Sequence, residues 1–523
     1  MSSATPLPPS HVPFRIWVAV WGAMLGAFMA VLDIQITNAS LNDILGSLGS
    51  TLDEGGWVAT SYLVAEIIVI PLSGWLAGVF SMKRFIMVNG ALFVGFSMCC
   101  GFAWNLESLI VFRVLQGCTG GTLIPLAFQM VLRHLPPEKR PMGFALFGMT
   151  ATFAPAIGPT LGGWLTNNFG WPAIFYMNVI PGILMLVATG WGSPKEPPQF
   201  HLLRKGDWWG ILFMALGLGC LTVFLEEGNK DDWFGSDFIT RLAIISAISL
   251  TAFVWIELTR EKPLINLRLL ARRNFGLAVL VNVTMGMSLY GSAFLLPLYL
   301  AQVQGYNAMQ IGQVIMWMGM PQPFIMPLMP LMMKKIDPRL MCSFGVVLFG
   351  GGVLAKAWMS HDTAIDQLKW AQLGMAIGMP MLMTPLMAIG TGNIEPANAA
   401  NASVLWNMLR NLGGSVGIAL LGTMVTLREH FHSAMIGESV NAYSAPAVQQ
   451  FNELTQGFIA GGSDAVTANN QALTAMAGMV RREAFVMAYD DAFYVIGVLL
   501  FFTGSLVWLT KPVKPKAGPS AAH

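Results

Sequence analysis

Long apolar stretches separated by short polar segments recur along the whole chain. Each stretch holds about 20 residues, which is the length that an α-helix needs to cross roughly 30 Å of hydrocarbon at about 1.5 Å per residue. The pattern therefore predicts an all-α polytopic membrane protein with 14 transmembrane helices. The predicted spans are residues 16–38, 57–79, 85–103, 109–132, 142–166, 171–191, 208–226, 240–258, 275–300, 310–333, 340–359, 370–392, 403–427 and 489–509.

The composition is typical of a membrane protein, since 55% of the 523 residues are hydrophobic and only 11% are charged. It excludes both an ordinary soluble globular domain and a disordered chain. The net charge of +2 gives no indication of a nucleic-acid partner. The five cysteines are an odd number in apolar stretches without metal-ligand spacing, so we expect core residues and no metal site. The polar start and the long first span argue against a cleaved signal peptide.

Lysines and arginines are sorted by the side of the membrane. Of the 29 basic residues, 20 lie on the side of the N-terminus and its even-numbered loops, and six lie on the other side. The positive-inside rule therefore places that side in the cytoplasm. Because the number of spans is even, both termini are predicted to be cytoplasmic.

Two opposite charges lie at similar depth in two antiparallel spans. Asp33 is near the non-cytoplasmic end of span one, and Arg113 is near the non-cytoplasmic start of span four. An intramembrane arginine costs at least about 2.5–3.5 kcal/mol on insertion scales, so it usually pairs with a carboxylate inside the bundle. Protonation of Asp33 would then release Arg113, which is a minimal proton switch. The alternatives are a static salt bridge and an arginine that snorkels to the membrane surface.

Three other charged residues lie within spans. Glu66 is near the middle of span two, where an unpaired carboxylate is expected to be mostly protonated at rest. It would hold a proton or a cation, or serve as a neutral acid that packs two helices. Lys356 and Glu257 lie within a turn of their helix ends, where snorkelling explains both.

The fifth span combines helix-breaking and small residues. The stretch APAIGPTLGGWL contains Pro155, Gly158, Pro159, Gly162 and Gly163. Prolines bend a helix and glycines let a neighbouring helix come close, so the stretch predicts a hinge or a tight helix crossing. A partial echo in span thirteen, NMLRNLGGSVGIALLG, suggests an internal repeat, which is typical of transporter folds.

One connection is long. Residues 428–488, on the non-cytoplasmic side, are rich in Ala, Gln, Asn and Met, and Gly461–Gly462 lie in the middle. This composition predicts two helical pieces with a break between them. Loops of this length are usually functional or disordered, so the segment is either a docking element or a flexible connector.

Several stretches resemble those of a known family. They are VLDIQITNA (31–39), WVATSYLVA (57–65), PLSGWLA (71–77), FRVLQG (112–117), AIGPTLGGWL (156–165) and WPAIFYMNVIPG (171–182). Through these stretches the chain resembles the major facilitator superfamily over nearly its whole length. Within that superfamily it resembles the fourteen-helix drug:proton antiporters of the EmrB/QacA type.

The resemblance implies a major facilitator fold of two six-helix bundles, at residues 1–191 and 275–523, with two extra central helices in residues 192–274. Asp33 and Arg113 would couple transport to protons, with Glu66 as a further candidate, and the glycine and proline motif of span five would support the conformational change. Methionines can re-pack around varied apolar ligands. The candidate substrate-binding residues are Asn38, Gln116, Asn178, Met318 and Asn407.

The function expected from the resemblance is proton-coupled export of amphipathic or hydrophobic compounds, multidrug or fatty-acid-like, across a bacterial inner membrane. The proton gradient is the energy source, and no cofactor is expected. The family's partners would be a periplasmic membrane-fusion adaptor, which residues 428–488 would meet, and an outer-membrane channel. One alternative is an importer or facilitator of a defined nutrient. Another, a membrane-embedded enzyme, would need a cluster of His, Cys or carboxylates, whereas the seven histidines are scattered.

Overall fold

The computed structural model describes residues 12–260 and 263–512, and its long apolar helices correspond to the predicted spans. Among these residues 13 spans are single apolar helices, and the fifth span is a bent pair, which makes 14. The predicted all-α polytopic fold is therefore confirmed. In chain order the transmembrane helices are α1 (Phe14–Ala39), α2 (Leu52–Phe80), α3 (Met82–Gly101), α4 (Leu106–His134), α5 (Arg140–Phe169), α6 (Ala173–Gly192), α7 (Trp208–Glu227), α8 (Asp237–Thr259), α9 (Arg273–Gln302), α10 (Met309–Met332), α11 (Pro338–Trp358), α12 (Ile365–Thr391), α13 (Ala399–Ser439) and α14 (Ala465–Ser505).

A capping box determines where α4 begins. The Asn105 side chain accepts a hydrogen bond from the Ser108 backbone N–H at 2.9 Å, and the Ser108 hydroxyl accepts one from the Asn105 N–H at 3.2 Å. Helix α4 therefore starts at Leu106, before the predicted span. Arg113 lies about two turns inside the helix, and its side chain is fully buried. The alternative that Arg113 snorkels to the membrane surface is wrong.

Helices α7 and α8 form a pair on the side of the bundle. Gly217 of α7 lies against Leu250 of α8, and Gly219 of α7 faces Ile68 of α2. The loop after α7 continues these contacts, because Trp233 donates a hydrogen bond to the Thr423 hydroxyl of α13 at 3.0 Å. On α2, the Thr60 hydroxyl donates to Glu227 at 2.8 Å. The pair is thus attached to both α2 and α13.

Helix α5 bends and crosses α1 at short distance. Its two parts, Arg140–Pro155 and Ile157–Phe169, meet at an angle of 46°. A Cβ added at Gly158 would lie 2.5 Å from the Gln35 Cβ of α1, and one added at Gly162 would lie 3.0 Å from the Ile36 carbonyl oxygen. Gly163 has open space instead. Only a residue without a side chain fits at the crossing itself.

Helices from the two ends of the chain meet on the predicted cytoplasmic side. The Ser403 hydroxyl of α13 donates a hydrogen bond to the Pro125 carbonyl of α4 at 2.6 Å. The rings of Phe128 and Trp406 stack with centroids 6.2 Å apart. Gly74 of α2 faces the Ala400 methyl group. These contacts join α2 and α4 to α13 on that side.

Most of the segment 428–488 is helical and continuous with the membrane helices. Helices α13 and α14 each run for 41 residues, well past the predicted ends of their spans. The connecting helix Ala445–Ala460 lies between them. The chain breaks at Gly461–Gly462, as predicted, and Gly462 has φ of +97°. The two predicted helical pieces with a break between them are confirmed, and the second piece is continuous with α14.

Two charged residues predicted to snorkel are buried instead. Lys356 is 1% exposed, with its ammonium 3.2 Å from the Met375 sulfur and 5.3 Å from the centre of the Phe493 ring. Glu257 is also fully buried and accepts a hydrogen bond from the Ile265 backbone N–H at 2.9 Å. Both predictions are wrong because neighbouring segments cover the helix ends.

We expect Gly158→Ala to lower the thermal stability of the protein, because its new methyl group would collide with Gln35. Overpacking of this kind typically costs about 1–3 kcal/mol. Gly163→Ala is the matched control, since it adds the same group where nothing lies within 4 Å. The denaturation midpoint, followed by size-exclusion of detergent-solubilised protein after heating, should fall for Gly158→Ala alone. Equal midpoints for both variants would contradict the crossing.

Candidate functional site

Asp33 and Arg113 form an ion pair inside the bundle. The Arg113 Nη1 lies 2.5 Å from Asp33 Oδ2, and the two side chains are 0% and 1% exposed. Helices α1 and α4 run in opposite directions, which brings the two residues to one depth. Away from water, each charge depends on the other for compensation.

Two amides complete the coordination of the carboxylate. Gln116 and Asn178 donate to Asp33 Oδ1 at 2.9 and 2.8 Å, and Arg113 also donates to the Gln116 oxygen at 2.8 Å. An ionised carboxylate is an acceptor only, so three donors fit an ionised Asp33. The structure thus places Gln116 and Asn178, which we expected at a substrate site, around the ion pair.

Arg113 also contacts α2. Its Nε donates to the Val58 carbonyl oxygen at 3.2 Å, and its guanidinium carbon lies 4.3 Å from the centre of the Tyr62 ring. Such a cation–π contact is favourable for a desolvated cation. The Nη2 nitrogen is buried without a hydrogen-bond partner among the described residues. The side chain therefore joins α1, α2 and α4, and the two N–H donors of Nη2 have no partner in the described part of the chain.

Sequence reasoning missed two residues of α3 in this network. Ser97 accepts a hydrogen bond from Asn178 at 3.0 Å and donates one to the Phe175 carbonyl at 2.8 Å. The Cys100 thiol lies 3.5 Å from the Gln116 oxygen. The only available signal was their spacing of three residues, which places two small polar side chains on one face of a helix.

Glu66 lies where the two halves of the chain meet. Its Oε1 accepts a hydrogen bond from the Asn411 side chain of α13 at 3.1 Å, so the expectation of an unpaired carboxylate is corrected. Its Oε2 is buried with no hydrogen-bond partner among the described residues. The α2 backbone at Glu66 packs directly against Gly121 of α4.

The other predicted substrate-binding residues lie apart from the ion pair. Asn38 is exposed near the end of α1. Met318 is buried in α10, and its carbonyl accepts a hydrogen bond from Gln322 at 3.3 Å. Asn407 is fully buried in α13, where it donates to the Ser403 carbonyl at 2.9 Å and leaves its own oxygen without a partner among the described residues. Among residues 12–260 and 263–512, no group of three or more His, Cys, Asp or Glu is placed to hold a metal ion.

Comparison with known proteins gives one family. A sequence profile of the Major Facilitator Superfamily matches residues 23–418. The colistin resistance protein EmrB of Acinetobacter baumannii is 32% identical, and the match covers 94% of this chain and 96% of that protein. The fatty acid resistance protein FarB of Neisseria gonorrhoeae is 32% identical over 97% of this chain and 98% of its own length. The multidrug export protein EmrB of Haemophilus influenzae is 34% identical, over 93% and 94%.

Solved structures agree with this fold. The proton:xylose symporter XylE, a major facilitator superfamily protein, superposes with a TM-score of 0.58 over 95% of this chain and 96% of its own. Its sequence identity of 13% supports a common fold and nothing more.

We expect Arg113→Lys to destabilise the protein. A lysine keeps the charge but cannot reach Asp33, Gln116 and Val58 together, and each hydrogen bond that involves a charged group is typically worth about 1.5–3 kcal/mol. Arg133→Lys is the control, because Arg133 and Glu196 form a surface pair with side chains 40% and 27% exposed. Such pairs contribute about 0–1 kcal/mol. A similar small change in the denaturation midpoint for both variants would show that the forked contacts of Arg113 are unimportant.

Proposed function

Because the chain belongs to the major facilitator superfamily, we propose that it is a proton-coupled antiporter that exports amphipathic or largely hydrophobic compounds across a bacterial inner membrane. The observation that carries the proposal is the buried pair of Asp33 and Arg113. The relatives at 32–34% identity are named for multidrug export, colistin resistance and fatty acid resistance, which supports export of varied apolar cargo.

The coupling step starts at Asp33. Ionised Asp33 compensates Arg113 and accepts hydrogen bonds from Gln116 and Asn178. A proton on Asp33 removes that compensation, and an uncompensated buried charge typically costs about 3–5 kcal/mol. Arg113 then has to find another acceptor, for which its free Nη2 is available. Because Arg113 joins α1, α2 and α4, its movement shifts these helices relative to one another.

Glu66 is the second candidate for a titrating group. Its only hydrogen-bond partner among the described residues is Asn411, and its Oε2 remains free. The contact joins α2 to α13, so a change of charge at Glu66 acts directly on the contact between the two halves. A cation in the passage would compete with the proton for this carboxylate.

Transport is proposed to proceed by alternating access of two six-helix bundles, residues 1–191 and 275–523, with α7 and α8 in residues 192–274 as an added pair. Uptake from the cytoplasm requires the contacts of Ser403 with Pro125 and of Gly74 with Ala400 to separate. The bend of α5 and its glycine crossing with α1 give a place where a helix can pivot. The proton gradient supplies the energy, so neither a cofactor nor an enzymatic activity is part of this proposal.

The helical segment 428–488 is proposed to dock a periplasmic membrane-fusion adaptor, which would in turn meet an outer-membrane channel. This requires both termini in the cytoplasm, as the distribution of basic residues favours. The base of the segment is held by Asp491, which pairs with Arg428 at 2.5 Å and His432 at 2.8 Å. The connecting helix above it has no buried residue among those described. A rigid base with an exposed tip is suited to binding a partner.

We expect Asp33→Asn to abolish export driven by a proton gradient while substrate binding persists, because the change removes the titratable group and keeps its volume. Transport is measured in everted vesicles with an imposed pH gradient. Asp43→Asn, at an exposed position of the short helix Leu41–Leu48 after α1, is the control and should export normally. Uphill transport by Asp33→Asn would contradict the coupling role. Equilibration by the unaltered protein without any gradient would instead indicate a facilitator.

We expect replacement of residues 440–480 by about eight Gly/Ser residues, enough to span roughly 25 Å, to abolish export across the complete two-membrane envelope. Transport in proteoliposomes, where no adaptor is present, should survive because the spans are untouched. Replacing only residues 440–444 keeps the connecting helix and is the control. If cells with the large replacement retain resistance at normal expression, the segment does not dock.

A further inference from the structure

Arg410 is a buried cation with no carboxylate at ion-pair distance among the described residues. It lies about two turns inside the predicted span of α13, residues 403–427, and is 1% exposed. None of its three guanidinium nitrogens has a hydrogen-bond partner among the described residues. Arg410 also forms none of the ion pairs, with nitrogen and oxygen within 4.0 Å, that the described residues make. Burying a charge in this way is strongly unfavourable unless an anion reaches it. Arg113 differs, since three acceptors surround it.

The surroundings of Arg410 come from both halves of the chain. Its guanidinium carbon lies 5.9 Å from the centre of the Phe147 ring of α5. The Tyr290 hydroxyl of α9 lies beside the guanidinium, outside ideal hydrogen-bond geometry. The Glu66 carboxylate of α2 is near enough to interact with it electrostatically. Its own neighbour Asn411 donates to Glu66. The guanidinium is therefore located between the bundles, where a cargo would have to pass.

An apolar wall adjoins this cation. Trp406 precedes Arg410 by one turn on the same face of α13 and stacks on Phe128 of α4. Phe147 packs edge-on against Phe128 at 5.2 Å between centroids. All three rings are buried. A guanidinium group beside aromatic rings can bind a molecule that has an anionic head and an apolar tail.

We propose that Arg410 binds the monoanionic headgroup, a carboxylate or a similar group, of an amphipathic cargo whose tail lies against Phe128, Phe147 and Trp406. The planar guanidinium accommodates two oxygens of such a group in parallel hydrogen bonds, and the Tyr290 hydroxyl is a further donor. This assignment rests on the proposed export function and specifies its substrate class. Glu66 opposes the anion, because an ionised carboxylate beside the site repels it.

The test is a comparison of binding to two probes of equal length, radiolabelled dodecanoate and uncharged dodecanamide. The full-length protein in phosphatidylcholine nanodiscs is used, with no gradient, and affinities are measured by scintillation proximity. Loss of a charge-assisted pair should reduce the ratio of dodecanoate to dodecanamide affinity about 10- to 100-fold in Arg410→Gln. Arg410→Lys should reduce it less, and Glu66→Gln should raise it. Arg428→Gln, on the same helix but paired outside with Asp491, should leave the ratio unchanged.

A ratio within twofold of the unaltered protein in Arg410→Gln would overturn the proposal, and so would an equal loss of both probes. Phosphatidylglycerol added to the nanodiscs tests the other source of a monoanion. If it displaces dodecanoate at Arg410, the site belongs to a lipid headgroup and the assignment to cargo fails. The antiport is tested separately with Asp33→Asn. Uphill transport by this variant would contradict proton coupling, whereas its binding of dodecanoate should be normal in either case.

Discussion

A charge inside a bilayer has to be compensated by the protein itself, because water is absent and the local dielectric constant is low. The pair of Asp33 and Arg113 meets this constraint with a network that reaches five helices. Arg113 contacts Val58 and Tyr62 of α2, and Asp33 accepts a hydrogen bond from Asn178 of α6. Asn178 in turn holds Ser97 of α3. Under the proposed coupling, a single proton on the carboxylate would therefore disturb contacts that join these five helices.

Buried polar groups near Asp33 and near Arg410 differ in how many hydrogen bonds they form. Around Asp33 the carboxylate oxygens are saturated by donors of the same half. Around Arg410 the guanidinium nitrogens, the Trp406 indole nitrogen and the Asn407 amide oxygen lack partners among the described residues. Under the proposals made above, the saturated network holds the proton, and the unsatisfied one receives the cargo. The contact of Glu66 with Asn411 lies between them and is sensitive to both.

The spans were predictable because hydrocarbon thickness imposes a minimum length of apolar sequence, and the pairing of Asp33 with Arg113 followed from depth alone. The ends of α13 and α14 were not predictable, because both helices continue beyond the membrane into sequence that is less apolar but still helix-forming. Lys356 and Glu257 were misplaced because burial at a helix end depends on segments distant in sequence. Gln116 and Asn178 were identified as candidates, but their shared partner is a property of three-dimensional packing. Arg410 lies inside the glycine-rich stretch of span thirteen, and only the structure shows that its guanidinium nitrogens lack a hydrogen-bond partner among the described residues.

The loop between α7 and α8 has a mechanical consequence. The last residue of α7, Glu227, accepts a hydrogen bond from Thr60 of α2, and Trp233 in the loop donates one to Thr423 of α13. Both contacts lie near the ends of α2 and α13 that are predicted to be non-cytoplasmic. Under the proposed alternating access, separation of the two bundles on that side would move α2 and α13 apart and stretch both hydrogen bonds. The connection through α7 and its loop would then limit how far the bundles separate.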